Sequence, residues 1–371
     1  NMIFVYEDLI KRFPQDPARC EWLQQIYQGY KLDNILDKME DSLKKIVVAM
    51  EDLKKQFGEK KMETAMCIDF AKRNLYDQAK RSYIKYDKAK GKADKDTEKL
   101  LAYSASLYKE FLNYFPNDAD AYDMRYDYAQ LLADIAGNLE KISKNEQEIR
   151  EAYRVAAREY ATLLKWDKLP PGLTQQQFEK NREDIGLNTV NLYFRVLDVD
   201  FERENKQREK RQEDYLKRRN CLAAKQKTEA AGKKFTQKCP EFEKNLKIPQ
   251  ELLEVIDVFN LYVKYVKTGK ALAAIKYNRA MIYYMYRHFA EAIPLFQDTV
   301  RTSYETDPQM ALQAAFYLMI SYDAEDRFED MVDMITELLA PRYNAMFNVD
   351  AEAKKFRAKL ESKKLENMEM E

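Results

Sequence analysis

The stretch Tyr6-Glu-Asp-Leu-Ile-Lys-Arg-Phe-Pro-Gln-Asp16 has a counterpart in Tyr108-Lys-Glu-Phe-Leu-Asn-Tyr-Phe-Pro-Asn-Asp118. In both stretches, aromatic and aliphatic residues recur at helical spacing before a Phe-Pro pair that ends the helix. The two copies lie 102 residues apart, which is three times 34, and 34 residues is the period of a repeated two-helix unit. The spacing therefore predicts an all-α solenoid of helical hairpins that bury a core between neighbours.

Packing positions within single hairpins support this interpretation. The most regular set has small residues where two helices must approach closely and large ones elsewhere: Ala280, Tyr283, Phe289, Ala292 and Phe296. Two other sets have the same spacing: Cys67, Phe70, Tyr76, Ala79, Tyr83 and Met319, Tyr322, Phe328, Met331, Ile335. Each set predicts one hairpin, and the methionines of the last predict looser packing.

These residues resemble the tetratricopeptide repeat (TPR) superfamily over most of the chain. Within it, the stretch that begins at Tyr108 is similar to the degenerate repeats of bacterial cell-envelope proteins, including outer-membrane-assembly, periplasmic-scaffold and gliding-motility proteins. The resemblance implies a noncatalytic scaffold in the periplasm or cell envelope that binds other proteins through TPR concave or edge surfaces.

We expect four regions along the chain. Residues 1–200 form a TPR-like array, 201–249 a charged helical insertion or linker, 250–345 the C-terminal hairpins and 346–371 a terminal helix that caps the stack or leads into further sequence. Within the first array, helices are expected over about 97–114, 118–137, 144–166 and 176–198, with Gly137 as one of the separators.

Charge is balanced over the whole chain but not within the insertion. The chain has 63 basic and 63 acidic residues, so no global field attracts nucleic acid or anionic lipid. Residues 202–247 contain 15 Lys or Arg and 8 Asp or Glu. Acidic residues interrupt the positive ones and stacking aromatics are scarce, so a solvated helix is favoured over a nucleic-acid site. A docking arm for an acidic protein stays open.

The sequence does not favour an enzyme. His288 is the only histidine and lies in a predicted turn, and no phosphate-binding glycine loop or nucleophile elbow occurs. We therefore expect no catalytic residue, cofactor, metal or small-molecule substrate.

The resemblance assigns a set of residues to the concave surface, where the first helix of each hairpin faces a partner. Aromatic and methionine side chains suit peptide or helix recognition because they offer large contact areas. These candidate partner-binding residues are Tyr277, Met281, Tyr284, Met285, Phe316, Ile320 and Asp323. The alternative is that the adjacent hairpin or the last helix covers them.

The compartment and the cysteines are linked. The chain begins within an amphipathic helix and has no run of about 18 apolar residues, so a mature chain or a fragment without a spanning helix is expected. Its compartment is the periplasm or, alternatively, the cytoplasm, where a TPR adaptor would bind peptides or a nucleoprotein through residues 203–247. Cys221 and Cys239 could pair in an oxidising compartment, whereas Cys20 and Cys67 are interpreted as small buried hydrophobes.

Overall fold

A computed structural model describes residues 2–33, 35–90, 95–197, 201–241 and 243–368. Every regular element in these ranges is helical, which confirms the predicted all-α class. The chain divides into two compact units, residues 1–178 and 179–371. The division falls within a predicted helix of the first array, ahead of the predicted boundary at residue 200.

The described residues of the first unit form seven helices and the start of an eighth. They are α1 (Met2–Arg12), α2 (Arg19–Leu32), α3 (Leu36–Phe57), α4 (Met62–Ala89), α5 (Lys95–Tyr114), α6 (Ala121–Ile142), α7 (Glu146–Leu164) and α8 (Gln175–Leu197). Each of α1 to α6 packs against the next helix, and α2 also contacts α4. Contacts to both the next helix and the one after it are what a side-by-side stack of hairpins requires.

The two copies of the Phe-Pro stretch form the same turn. After α1, the Asp16 amide donates to the Phe13 carbonyl at 3.2 Å, and the Asp16 carboxylate accepts from the Ala18 amide at 2.8 Å. After α5, the Asp118 amide donates to the Phe115 carbonyl at 3.2 Å, and the Asp118 carboxylate accepts from the Asp120 amide at 3.1 Å. Proline and an Asx-type side chain therefore close both helices in the same way.

Two sequence expectations are wrong in the first unit. The set Cys67 to Tyr83 lies on one continuous helix, α4, of 28 residues, because residues 71–75 include no helix breaker and continue the buried stripe. Three helices, α2, α3 and α4, lie between the two Phe-Pro copies and contain 14, 22 and 28 residues. The interval is therefore not divided into three hairpins of 34 residues. Gly137 does not end a helix either, since α6 continues to Ile142.

The second unit continues α8 and adds α9 (Phe201–Ala230), α10 (Gln250–Tyr265), α11 (Leu272–Met285), α12 (Phe289–Ser303), α13 (Pro308–Ala324), α14 (Phe328–Leu338), α15 (Asn344–Phe347) and α16 (Ala351–Met368), with a 3₁₀ turn at Pro341–Tyr343. Helices α10 to α14 pack in sequence, and α11 also contacts α13. Helices α11 and α13 begin 36 residues apart, close to the expected period. Buried alanines let them approach: Ala280, Ala311, Ala314 and Ala315.

All four cysteines are in disulfides. Cys221 pairs with Cys239 across the end of α9, with 5.5 Å between their Cα atoms. Cys20 of α2 pairs with Cys67 of α4, with Cα atoms 5.9 Å apart. The sequence indicated the burial of this second pair but not its bond, because only the α2–α4 contact brings the two residues together.

Candidate partner-binding groove

A groove of about 730 Å³ runs beside α13 in the second unit. One face of α13 is buried against the preceding helices through Ala311, Ala315 and Leu318. Its other face carries Phe316, Ile320 and Asp323, which line the groove opposite α16. The groove is open because α16 packs against α14 and α15 and meets this face of α13 mainly through one aromatic contact.

That contact joins Phe316 to Phe356, whose ring centroids are 5.8 Å apart. Phe316 is 43% exposed and packs edge-on against Tyr317 at 5.4 Å. Tyr317 in turn packs against Tyr284 at 4.8 Å. The groove floor is therefore an aromatic row that is buried at one side and accessible at Phe316.

The structure brings four of the seven candidate residues together in this groove: Tyr277, Phe316, Ile320 and Asp323. Met281 and Tyr284 are instead core residues, buried in the cluster that joins α11 to α14. Met285 packs against the same cluster and is partly buried. The alternative that neighbouring helices cover some positions therefore applies to these three.

The charged insertion reaches one end of the groove. The hydroxyl of Tyr215, the one buried residue among the described side chains of α9, donates to the Asp323 carboxylate at 2.6 Å. The Arg219 guanidinium lies 3.4 Å from the same carboxylate and lines the groove. Burial, together with Asp323, raises the pKa of Tyr215. At neutral pH the hydroxyl therefore stays protonated, and its hydrogen bond fixes the position of the Asp323 side chain.

Other contacts hold the insertion against the α11–α12 turn. Arg211 donates to the Met285 carbonyl at 3.2 Å, and its guanidinium lies 4.2 Å from the ring centre of Tyr286. The Leu246 amide donates to the Tyr286 carbonyl at 2.9 Å. His288 Nε2 lies 2.8 Å from the Leu246 carbonyl oxygen, which is the contact of a structural turn residue.

The rim formed by α16 is charged. Lys355, Lys359 and Lys363 line the groove at intervals of four residues and therefore share one face of the helix. The acids that also line it have partners: Glu352 pairs with Lys355 at 2.6 Å, and Asp350 accepts from the Ala353 amide at 2.7 Å. Lys359 is exposed and has no carboxylate partner among the described residues. The three lysines and the two acids of this rim sum to a net charge of +1.

Sequence reasoning missed the second wall of the groove. Phe356 and the three lysines of α16 belong to it, as does Arg219 of α9. The repeat of Lys355, Lys359 and Lys363 was a usable signal, but nothing in the sequence indicated which helix α16 would face. Leu365 of the predicted terminal helix lies outside the described side chains.

No family model matches the chain, and no curated protein is significantly similar to it. Among the described helices, none is both long and apolar enough to cross a bilayer.

Proposed function

We propose that this chain is a noncatalytic, TPR-type scaffold whose α13–α16 groove binds a segment of a partner protein. The bound segment has an apolar anchor residue that is flanked by acidic residues. The observation that carries the proposal is the exposure of Phe316, at 43%, on the floor of a groove of about 730 Å³. Exposed aromatics in concave sites are favourable anchors because they offer a large contact area at modest entropic cost.

The shape suits a helix or an extended peptide. Helices α13 and α16 contain 17 and 18 residues, so the groove has two preformed helical walls. Binding between existing helices requires little ordering of the scaffold, which lowers the entropic cost of association.

The charges favour acidic flanks. Asp323, Asp350 and Glu352 already have hydrogen-bond or ionic partners within the unit, whereas Lys359 has no carboxylate partner among the described residues. An acidic residue beside the anchor would meet this lysine on the rim. Such rim charges mainly affect association rate and selectivity.

The cysteines support the proposed compartment. Both disulfides persist best in an oxidising environment such as the periplasm, so we favour the cell envelope over the cytoplasm. The alternative adaptor that binds through residues 203–247 is less favoured, because Arg211 and Arg219 of that stretch contact the unit's own helices.

A random peptide display selected on the intact, oxidised protein tests the groove. We expect the enriched peptides to share an aromatic or aliphatic anchor flanked by Asp or Glu. Phe316→Ala with Ile320→Ala should weaken a selected peptide at least tenfold, and Lys359→Glu should weaken it severalfold and reduce its salt dependence.

Phe328→Ala is the matched control, since Phe328 is also in the second unit, is 53% exposed and does not line the groove. Its peptide affinity should stay within twofold of the parent protein. Enriched peptides that are basic, or that bind the Phe316→Ala, Ile320→Ala protein as tightly as the parent, would reject the proposal.

A further inference from the structure

A second concave site lies in the first unit, within a different group of helices. It has a volume of about 220 Å³ and is lined by residues of four helices. Lys31 comes from the end of α2, Leu36 and Met39 from the start of α3, and Leu100 and Tyr103 from α5. Helix α4 contributes the remaining lining residues: Gln78, Arg81, Ser82 and Lys85.

The charge of this pocket has one sign. Lys31, Arg81 and Lys85 line it, and no acidic residue does so among those described. None of these three cations forms an ion pair with a described residue; Lys31 Nζ lies 5.7 Å from the ring centre of Tyr27. In a chain with as many acidic as basic residues, three uncompensated cations around one small cavity create a local positive potential.

Carboxylates outside the lining act on tyrosines at the pocket. Asp77 acts on Tyr27, and Glu40 and Asp37 act on Tyr103. Glu40 is paired with Lys44 at 2.7 Å. None of these three carboxylates lines the pocket.

Neutral hydrogen-bonding groups complete the wall. Gln78 is 7% exposed, and its side-chain amide interacts with the Tyr27 hydroxyl, which opposes the rise in the pKa of Tyr27. The Tyr103 hydroxyl is buried without a hydrogen-bond partner. A buried polar group without a partner is unfavourable, and an oxygen-rich ligand would give the Tyr103 hydroxyl a partner.

We propose that this pocket binds a small oxyanion, the phosphate or carboxylate group of a low-molecular-weight ligand. The guanidinium of Arg81 presents paired N–H donors that match two oxygens of either group. Lys31 and Lys85 add charge, and Gln78 and Tyr103 supply neutral donors. A volume near 220 Å³ corresponds to roughly seven water molecules at ~30 Å³ each, enough for the anion and a short apolar stem against Leu36, Met39 and Leu100.

Titration calorimetry on the full-length, oxidised protein tests this site with two probes, inorganic phosphate and succinate, in chloride buffer of matched ionic strength. We expect saturable binding of at least one probe at one site per chain. Phosphate binding alone would identify a phosphate site, succinate binding alone would identify a carboxylate site, and either result supports the proposal.

Arg81→Ala with Lys85→Ala should weaken the bound probe at least tenfold, and Gln78→Met should weaken it severalfold. The matched control is Arg73→Ala with Lys88→Ala, which removes the same charge from α4 outside the pocket and should leave affinity within twofold. Far-ultraviolet circular dichroism shows whether each variant folds. Absence of saturable binding by both probes, or equal losses in the pocket and control variants, would overturn the proposal.

Discussion

The two units stack helical hairpins with different helix lengths. The α3–α4 hairpin of the first unit uses helices of 22 and 28 residues, whereas the α11–α12 hairpin of the second uses 14 and 15. Long helices extend one buried stripe, and the cavity beside them is small and basic. In the second unit, the charged helix α16 leaves a larger, aromatic groove. The two units therefore differ in the size and the chemistry of the concave site that their helices leave open.

The largest expected effect separates the core of the second unit from its groove. Phe296 is fully buried and contacts Tyr277, Tyr284 and Tyr317. Phe296→Ala should lower the free energy of unfolding by about 3–5 kcal/mol because it leaves a cavity. Phe316→Ala, in the groove, should cost less than about 1 kcal/mol. Urea denaturation measures both, and equal losses would mean that Phe316 belongs to the core.

The disulfides should contribute unequally to the two units. Cys20→Ala with Cys67→Ala opens a loop with a sequence separation of 47 residues between packed helices, and should cost roughly 2–4 kcal/mol. Cys221→Ala with Cys239→Ala opens a separation of 18 at the end of an exposed helix and should cost less. Guanidinium denaturation of both double variants measures the two losses in the free energy of unfolding. A larger loss for the Cys221, Cys239 variant would contradict the prediction.

Two helical glycines should respond to alanine with opposite signs. A Cβ atom on Gly186 would lie 2.7 Å from Tyr262 Cδ2, so Gly186→Ala should destabilise the second unit by about 1–3 kcal/mol through overpacking. On Gly137, the nearest atom to a Cβ would be the Tyr153 hydroxyl oxygen at 3.9 Å. Gly137→Ala should therefore stabilise α6 by about 0.5–1 kcal/mol. Thermal unfolding gives both signs, and a stabilised Gly186→Ala protein would contradict the packing described.

The smallest effect concerns alkaline pH and is expected in both units. Burial raises the pKa of Tyr27 and of Tyr262 to about 12, above the unfolded value near 10. Each hydroxyl therefore contributes stability that is complete below pH 10 and is lost as the pH rises towards 12. Between pH 9 and 11, the loss should be about 1 kcal/mol per tyrosine.

The variants Tyr27→Phe and Tyr262→Phe test this pH dependence one unit at a time. Each should reduce the alkaline decline in unfolding free energy relative to the parent protein. An unchanged slope in one variant would show that its tyrosine ionises normally in the folded protein.

The sequence alone determined the helical class and several helix ends, because these depend on local features. Apolar spacing marks a helix face. A Phe-Pro pair ends α1 and α5, and this signal does not depend on what the two helices pack against. The same local signals also explain the failures: the spacing from Cys67 to Tyr83 suits a hairpin or a single long helix, and without a breaker the backbone continues as α4.

Only the tertiary structure decided which surfaces remain open and which residues meet. Phe316 and Tyr284 are both aromatic residues on first helices of hairpins, yet one lines the groove and the other lies in the core. The Cys20–Cys67 bond, the opposition of α13 and α16, and the gathering of Lys31, Arg81 and Lys85 all join separate helices. Such contacts depend on how each helix is rotated and placed against its neighbours, which periodicity along one helix does not specify.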